Sequence, residues 1–154
     1  MSVKQISVFI ENKKGALAAC TRYIADNGIN IRALSIADTQ DFGILRLIVN
    51  DNTTAEKILK KEGYLMQITP VVGVKIGDEP GKLTAALDVL DRADINVEYL
   101  YAFMARTEKH AYVVLRVEDN AVAEAAYKII KLEEFKNPDG LTCNCGVISG
   151  GSTP

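Results

Sequence analysis

Asn12-Lys13-Lys14-Gly15-Ala16-Leu17, followed by Gly28-Ile29-Asn30-Ile31, returns in the same chain as Asp78-Glu79-Pro80-Gly81-Lys82-Leu83, followed by Asp94-Ile95-Asn96-Val97. Gly15 and Gly81, Leu17 and Leu83, Ile29 and Ile95, and Asn30 and Asn96 each stand 66 residues apart. Such a duplication constrains a fold more than any single motif. Each copy must be one supersecondary unit, carrying one copy of any site that unit holds. The 154 residues are therefore expected to divide into two like domains, 1–70 and 71–148, with Ser149 to Pro154 as a disordered tail. Domains this small bury limited core, so they are expected to pack on each other or on a second chain.

Working outward from the motif, Val3, Ile6, Val8 and Ile10 sit on an alternating pattern that predicts a strand. Asn12 to Gly15 reads as a loop, and Leu17, Cys20, Tyr23 and Ile24 recur at helical spacing until Gly28 stops the helix. Ile29–Ala37 and Ile44–Val49 read as strands around turn residues from Asp38 to Gly43. Asn52-Thr53-Thr54 opens a helix to about Glu62, and Tyr64–Thr69 is a fourth strand. The order βαββαβ then starts again with a strand over Val71–Ile76 and a helix from Lys82 to Ala93, in which Leu83, Leu87 and Leu90 are expected to be core. A strand over Ile95–Ala105, a turn at Arg106–Lys109 and a strand over Ala111–Val117 follow. A helix from Asp119-Asn120 to Lys131, a loop at Asn137–Gly140 and a last strand around Leu141–Ile148 complete the copy. Leu47 matches Leu115 and Asp51-Asn52 matches Asp119-Asn120 at an offset of 68, so the second copy carries two extra residues in its hairpin. A split β-α-β order of this kind is the ferredoxin-like pattern, an α+β fold with an antiparallel sheet and both helices on one face.

Composition excludes several classes. A net charge of −2 gives no long-range field for nucleic acid, which needs clustered Lys and Arg. No apolar run is long enough to span a bilayer, and the first residues lead into a strand pattern instead of a leader, so a cytoplasmic protein without a membrane partner is expected. Cys20, Cys143 and Cys145 make no disulfide framework, and with His110 as the one histidine there is no four-ligand metal spacing. No nucleophile–base pair or cofactor loop is visible, so neither an enzyme nor a cofactor is expected.

A strand, then Asp-x-Pro-Gly, then an amphipathic helix, then Gly-Ile-Asn-Ile opening a strand resembles the ACT domain. Asp78-Glu79-Pro80-Gly81 with Ile95-Asn96-Val97 matches that pattern closely; Asn12-Lys13-Lys14-Gly15 with Gly28-Ile29-Asn30-Ile31 matches it without the proline. The stretch from Ser35 to Arg46 is further similar to small bacterial proteins made only of two ACT domains. The resemblance runs to about Ile148 and leaves no room for a catalytic domain. It implies a non-catalytic regulatory protein that binds an amino acid or related metabolite between paired domains, near the first loop of each. It also implies side-by-side pairing of Ile29–Ala37 with Ile95–Ala105, giving one eight-stranded sheet. An enzyme of amino-acid metabolism and a second copy of the chain are the implied protein partners. The family's binding loop maps to Asn12, Lys13, Lys14 and Gly15, and to Asp78, Glu79, Pro80 and Gly81. Ala16, Leu17, Lys82 and Leu83 follow it, and Asn30, Ile31, Asn96 and Val97 open the second strands.

The physics of these residues agrees. Glycine lets the backbone turn tightly from strand to helix and lets a ligand approach. The first N–H groups of a helix are unpaired and partly positive, a natural seat for a carboxylate. Asn30 and Asn96 offer amide oxygens for an ammonium. Each feature alone reads as a turn or a cap; their recurrence twice points to a site. Lys13-Lys14 against Asp78-Glu79 predicts two sites of unequal affinity. The competing reading is a ligand-free regulatory or structural subunit that works through protein contact.

Overall fold

The computed structural model describes residues 3–38, 40–104, 110–128, 135–136, 142–143 and 146–148. The elements are β1 (Val3–Glu11), α1 (Ala16–Asp26), β2 (Ile31–Asp38), β3 (Phe42–Val49), α2 (Asn52–Glu62), β4 (Leu65–Gly77) and α3 (Lys82–Arg92). They continue with β5 (Val97–Met104), β6 (His110–Val117), α4 (Asn120–Lys128), β7 (Phe135–Lys136), β8 (Thr142–Cys143) and β9 (Gly146–Ile148). The expected turn at Arg106–Lys109, the end of the last helix to Lys131, the loop at Asn137–Gly140 and the tail from Ser149 lie outside the described residues.

The chain divides into two compact units, with the boundary between Thr69 and Pro70. In the first the strand order is β2-β3-β1-β4, with β3 antiparallel to both β1 and β2. Ile6, Val8, Leu45 and Leu47 are fully buried and pack with Cys20 and Ile24 of α1 and Ala55 and Leu59 of α2. Burying an aliphatic side chain of this size stabilises by about 1.5–3 kcal/mol, so this apolar layer holds the helices to the sheet. The second unit repeats the layer: Val72, Val74, Ile76 and Leu115 pack with Ala86 and Leu90 of α3 and Ala123 and Tyr127 of α4. Cys20 and Leu59 of the first layer become Ala86 and Tyr127, and the Tyr127 hydroxyl donates to the Ala86 carbonyl at 3.1 Å. The larger side chain fills the space left by the smaller one, and its buried O–H is satisfied.

Two expectations are corrected. The strands expected at Tyr64–Thr69 and Val71–Ile76 are one continuous strand, β4. Proline's fixed φ fits an extended chain and its missing N–H costs nothing where the strand changes neighbours. Its carbonyl is used, accepting from Arg116 Nη1 at 3.1 Å. The single last strand expected around Leu141–Ile148 is two short ones. β8 pairs with β7 as a separate two-stranded ribbon, and β9 joins β4 in parallel. A ferredoxin-like fourth strand would run antiparallel there. The β7–β8 reversal turns the chain once more before β9 and so inverts its direction.

Candidate functional site

Gly15 and Gly81 are the residues at which β1 and β4 give way to α1 and α3. Their backbones are near-copies, with φ of 86° and 88° and ψ of −14° and −11°. That left-handed conformation favours glycine over every side chain that carries a Cβ. Neither helix receives a side-chain cap. The Ala16 N–H turns back to the Lys13 carbonyl at 3.2 Å, and the Lys82 N–H to the Glu79 carbonyl at 3.2 Å. The next N–H groups of each first turn are left facing outward with their partial positive charge.

The other two helices are built differently. The Asp51 carboxylate accepts from the Thr54 N–H at 3.0 Å, and Asp119 accepts from the Ala121 and Val122 N–H groups at 2.9 and 3.1 Å. The hydrogen bonds to Thr54 hold the Asp51 carboxyl below its ordinary pKa. Two helix N-termini per chain are thus closed by an aspartate, and the two that follow the repeated loop are open.

The loops carry opposite charge. Lys13 pairs with Glu11, which leaves Lys14 as the cation without an ion pair among the described residues. Glu79 pairs with Lys82 at 3.4 Å, which leaves Asp78 as the anion without one. The Lys82 stem lies over Gly77, where an added Cβ would meet its Cγ and Cε at 3.3 Å. Leu17 and Leu83, one residue into each helix, are 37% and 39% exposed. Leu83 was expected in the core with Leu87 and Leu90. Only Leu90 is fully buried, and Leu87 is half-buried.

Asn30 and Asn96 do not join the loop of their own repeat. Each follows the C-terminal end of the helix that the loop begins. An 11-residue helix is about 16 Å long, so the two parts stand well apart. The Asn12 N–H instead donates to the Asp41 carbonyl at 3.0 Å, in the β2–β3 turn. Asn30 exchanges bonds with Asn50 at the far end of β3: its N–H donates to Asn50 Oδ1 at 2.9 Å and its carbonyl accepts from the Asn50 N–H at 3.1 Å. Ile31 and Val97 are half-buried beside these asparagines.

Asn96 and Val97 line an open groove of about 470 Å³ in the second unit, walled by Leu87, Ile95 and Leu100, with Asp91 in the lining. The sequence motif contains neither Leu87 nor Asp91, because they come from the last turns of α3. His110, which has no partner of catalytic type in sequence, stands opposite Gly77 in the β4–β6 ladder, beside the Asp78 loop. Cross-strand register, invisible in one sequence, places it there. Among the described residues no cluster of side chains could hold a metal ion, and no helix is long and apolar enough to cross a membrane.

Solved structures share this architecture. A crystal structure of a Bacteroides thetaiotaomicron protein is similar at a TM-score of 0.79 and 39% identity, over 84% of this chain and 88% of that one. The regulatory subunit of aspartate kinase from Thermus thermophilus, in its ligand-free form, gives 0.60 at 18% identity, over 82% of this chain and 89% of that one. The corresponding subunit from Thermus flavus gives 0.58 at 16%, over 83% and 92%. At those identities the kinase subunits share the fold. No curated protein matches the chain. The profile of the ACT domain pair matches residues 1–139, ending before β8 and β9, and by that match the chain belongs to the ACT domain pair family.

Proposed function

We propose that this protein is a non-catalytic amino-acid sensor, in which residues 1–70 and 71–148 act as paired ACT domains and the ligand is held between domains. The observation that carries the reading is the pair of uncapped helix N-termini behind Gly15 and Gly81, in a chain whose other two helices are capped by Asp51 and Asp119. An open helix N-terminus suits a carboxylate. The ammonium falls to an asparagine of the other repeat, because each repeat's own asparagine lies at the far end of its helix.

β2 and β5 are each the end strand of their unit. We propose that they pair edge to edge and antiparallel between two copies of the chain. The start of one strand then lies beside the end of the other, which brings Asn96 towards the Asn12–Leu17 loop and Asn30 towards the Asp78–Leu83 loop. The two sites differ. Lys14 favours a carboxylate at the first, and Asp78 opposes one at the second. The natural partner is an enzyme of amino-acid metabolism in the cytoplasm, where the buried thiol of Cys20 stays reduced.

A second reading, regulation through protein contact without a ligand, is favoured by exposed apolar residues on the β2–β3 hairpin: Leu34 at 50%, Ile36 at 47% and Phe42 at 53%. Thermal denaturation against a panel of amino acids separates the two. A ligand at 100 times its dissociation constant stabilises by about 2.7 kcal/mol, a rise on the order of 5–10 °C for this size. Lys14→Glu should abolish that rise and Asp78→Lys should leave or enlarge it. A flat response across the panel overturns the sensor and leaves the contact reading.

A further inference from the structure

We infer that the groove at the C-terminal end of α3 holds the ammonium and side chain of the ligand, and that the ligand is an amino acid with a branched aliphatic side chain. The inference rests on the sensor reading and deepens it by naming the ligand class and the repeat that selects it.

The open groove offers about 470 Å³, within the range of small-molecule sites. Leu87, Leu90, Ile95, Val97 and Leu100 make its walls mainly aliphatic, and Tyr99 adds an aromatic one. Leu100 is 38% exposed, so an apolar group seated here removes surface from water on both sides of the contact. Beside the Tyr99 hydroxyl, two polar side chains stand in the lining, the Asp91 carboxylate and the Asn96 amide. Both residues are exposed, and neither side chain has a hydrogen-bond or ion-pair partner among the described residues.

Asp91 is at an electrostatically unfavourable place. It lies in the last turn of α3, where outward carbonyls already concentrate negative charge and where cations are the favoured residues. An ammonium brought into the groove reverses that penalty. It donates to the Asp91 carboxylate and the Asn96 amide oxygen, with the helix terminus behind them adding to the attraction.

The first repeat does not offer the same seat. Thr21 stands where Leu87 stands in the second copy, Ala25 where Asp91 stands, and Ala33 where Tyr99 stands. The acid is missing and two walls are cut back, so Asn30 has no anionic neighbour of this kind. The chain therefore carries one complete seat, at Asn96.

Calorimetric titration of the full chain with four probes tests this: L-leucine; isopentylamine, which lacks the carboxylate; 4-methylpentanoate, which lacks the ammonium; and L-alanine, which lacks the branched side chain. L-leucine should bind most tightly. Asp91→Asn, which removes a charge that no described residue uses, should keep the melting temperature. It should weaken L-leucine and isopentylamine by about tenfold or more, the loss of one charge-assisted hydrogen bond, and leave 4-methylpentanoate unchanged. If Asp91→Asn and Asn96→Ala both keep L-leucine affinity while Lys14→Glu abolishes it, the groove assignment is overturned and the sensor stands. L-alanine binding as tightly as L-leucine overturns the ligand class alone. No heat from any amino acid overturns both.

Discussion

Ser7, Arg46 and Ser35 form one cross-strand row in the first unit; the equivalent row in the second is Gly73, Val114 and Tyr101. Directly opposed residues share a face of the sheet, so these rows mark the face turned away from the helices. In the first unit this row is polar. Ser7 is 8% exposed, Gln5 is fully buried and donates from Nε2 to the Ser7 hydroxyl at 3.0 Å, and Arg46 is half-buried. In the second the row is apolar, with Val114 at 4% and Tyr101 at 9% exposure. The strands record the difference directly. β3 alternates between buried and half-buried positions, whereas β6 is buried without a break from Ala111 to Leu115. The helix-side layers of the two units have nearly interchangeable chemistry. The duplication thus held the layer that makes each unit fold and let this row of the opposite face diverge.

Exchanging the two rows is the strongest way to break this comparison. Val114→Arg puts an unpaired guanidinium where the second unit is dry and should cost about 3–5 kcal/mol in urea denaturation, enough to unfold much of the population. Arg46→Val gives a strand-favouring residue to a half-buried position and should change stability by about 1 kcal/mol or less. Equal effects of the two would mean that the rows do not differ in the way their residues suggest. Smaller effects sharpen the likeness of the loops. Gly15→Ala and Gly81→Ala should each destabilise by about 1–2 kcal/mol, from backbone strain alone, because the added Cβ meets nothing within 4 Å at either site. A clear inequality between them would show that one loop carries strain the other lacks.

The smallest expected effects are on pH dependence. Burial raises the Cys20 thiol, against a lowering hydrogen bond from Tyr64, and burial also raises the Tyr64 and Tyr127 hydroxyls. Groups raised in the fold contribute fully below their unfolded values, and the contribution is lost as pH rises through the folded ones. Asp51 is lowered, so its contribution is present above its unfolded value and is lost as pH falls through the folded one. Melting temperature against pH should therefore be flat near neutrality and fall on both sides. Cys20→Ala should soften the onset of the alkaline fall, and Asp51→Asn the acid one.

Much of this architecture was legible in sequence because it is local. Gly15 and Gly81 announced strand-to-helix turns, and the Asp51 and Asp119 caps stand at the starts read from Asn52 and Asn120. What escaped was fixed by register and packing. Sequence recurrence alone does not show that the helix between Gly15 and Asn30 holds them well apart. Asp91 belongs to no motif and reaches the groove only because α3 ends beside the start of β5. The direction of β9 depended on an extra reversal at β7 and β8 that a run of residues from Leu141 to Ile148 does not reveal.

β4 has a consequence for how this gene can be edited. Met66 and Ile68 feed the first apolar layer and Val72, Val74 and Ile76 the second, so even-numbered positions carry the load on either side of Pro70. Side chains along a strand obey a two-beat rhythm. One codon inserted between Thr69 and Pro70 would put one of these sets out of phase and turn it outward, whereas two would restore the beat. The seam between the repeats therefore has a parity, and recombination or reporter insertion there must respect it.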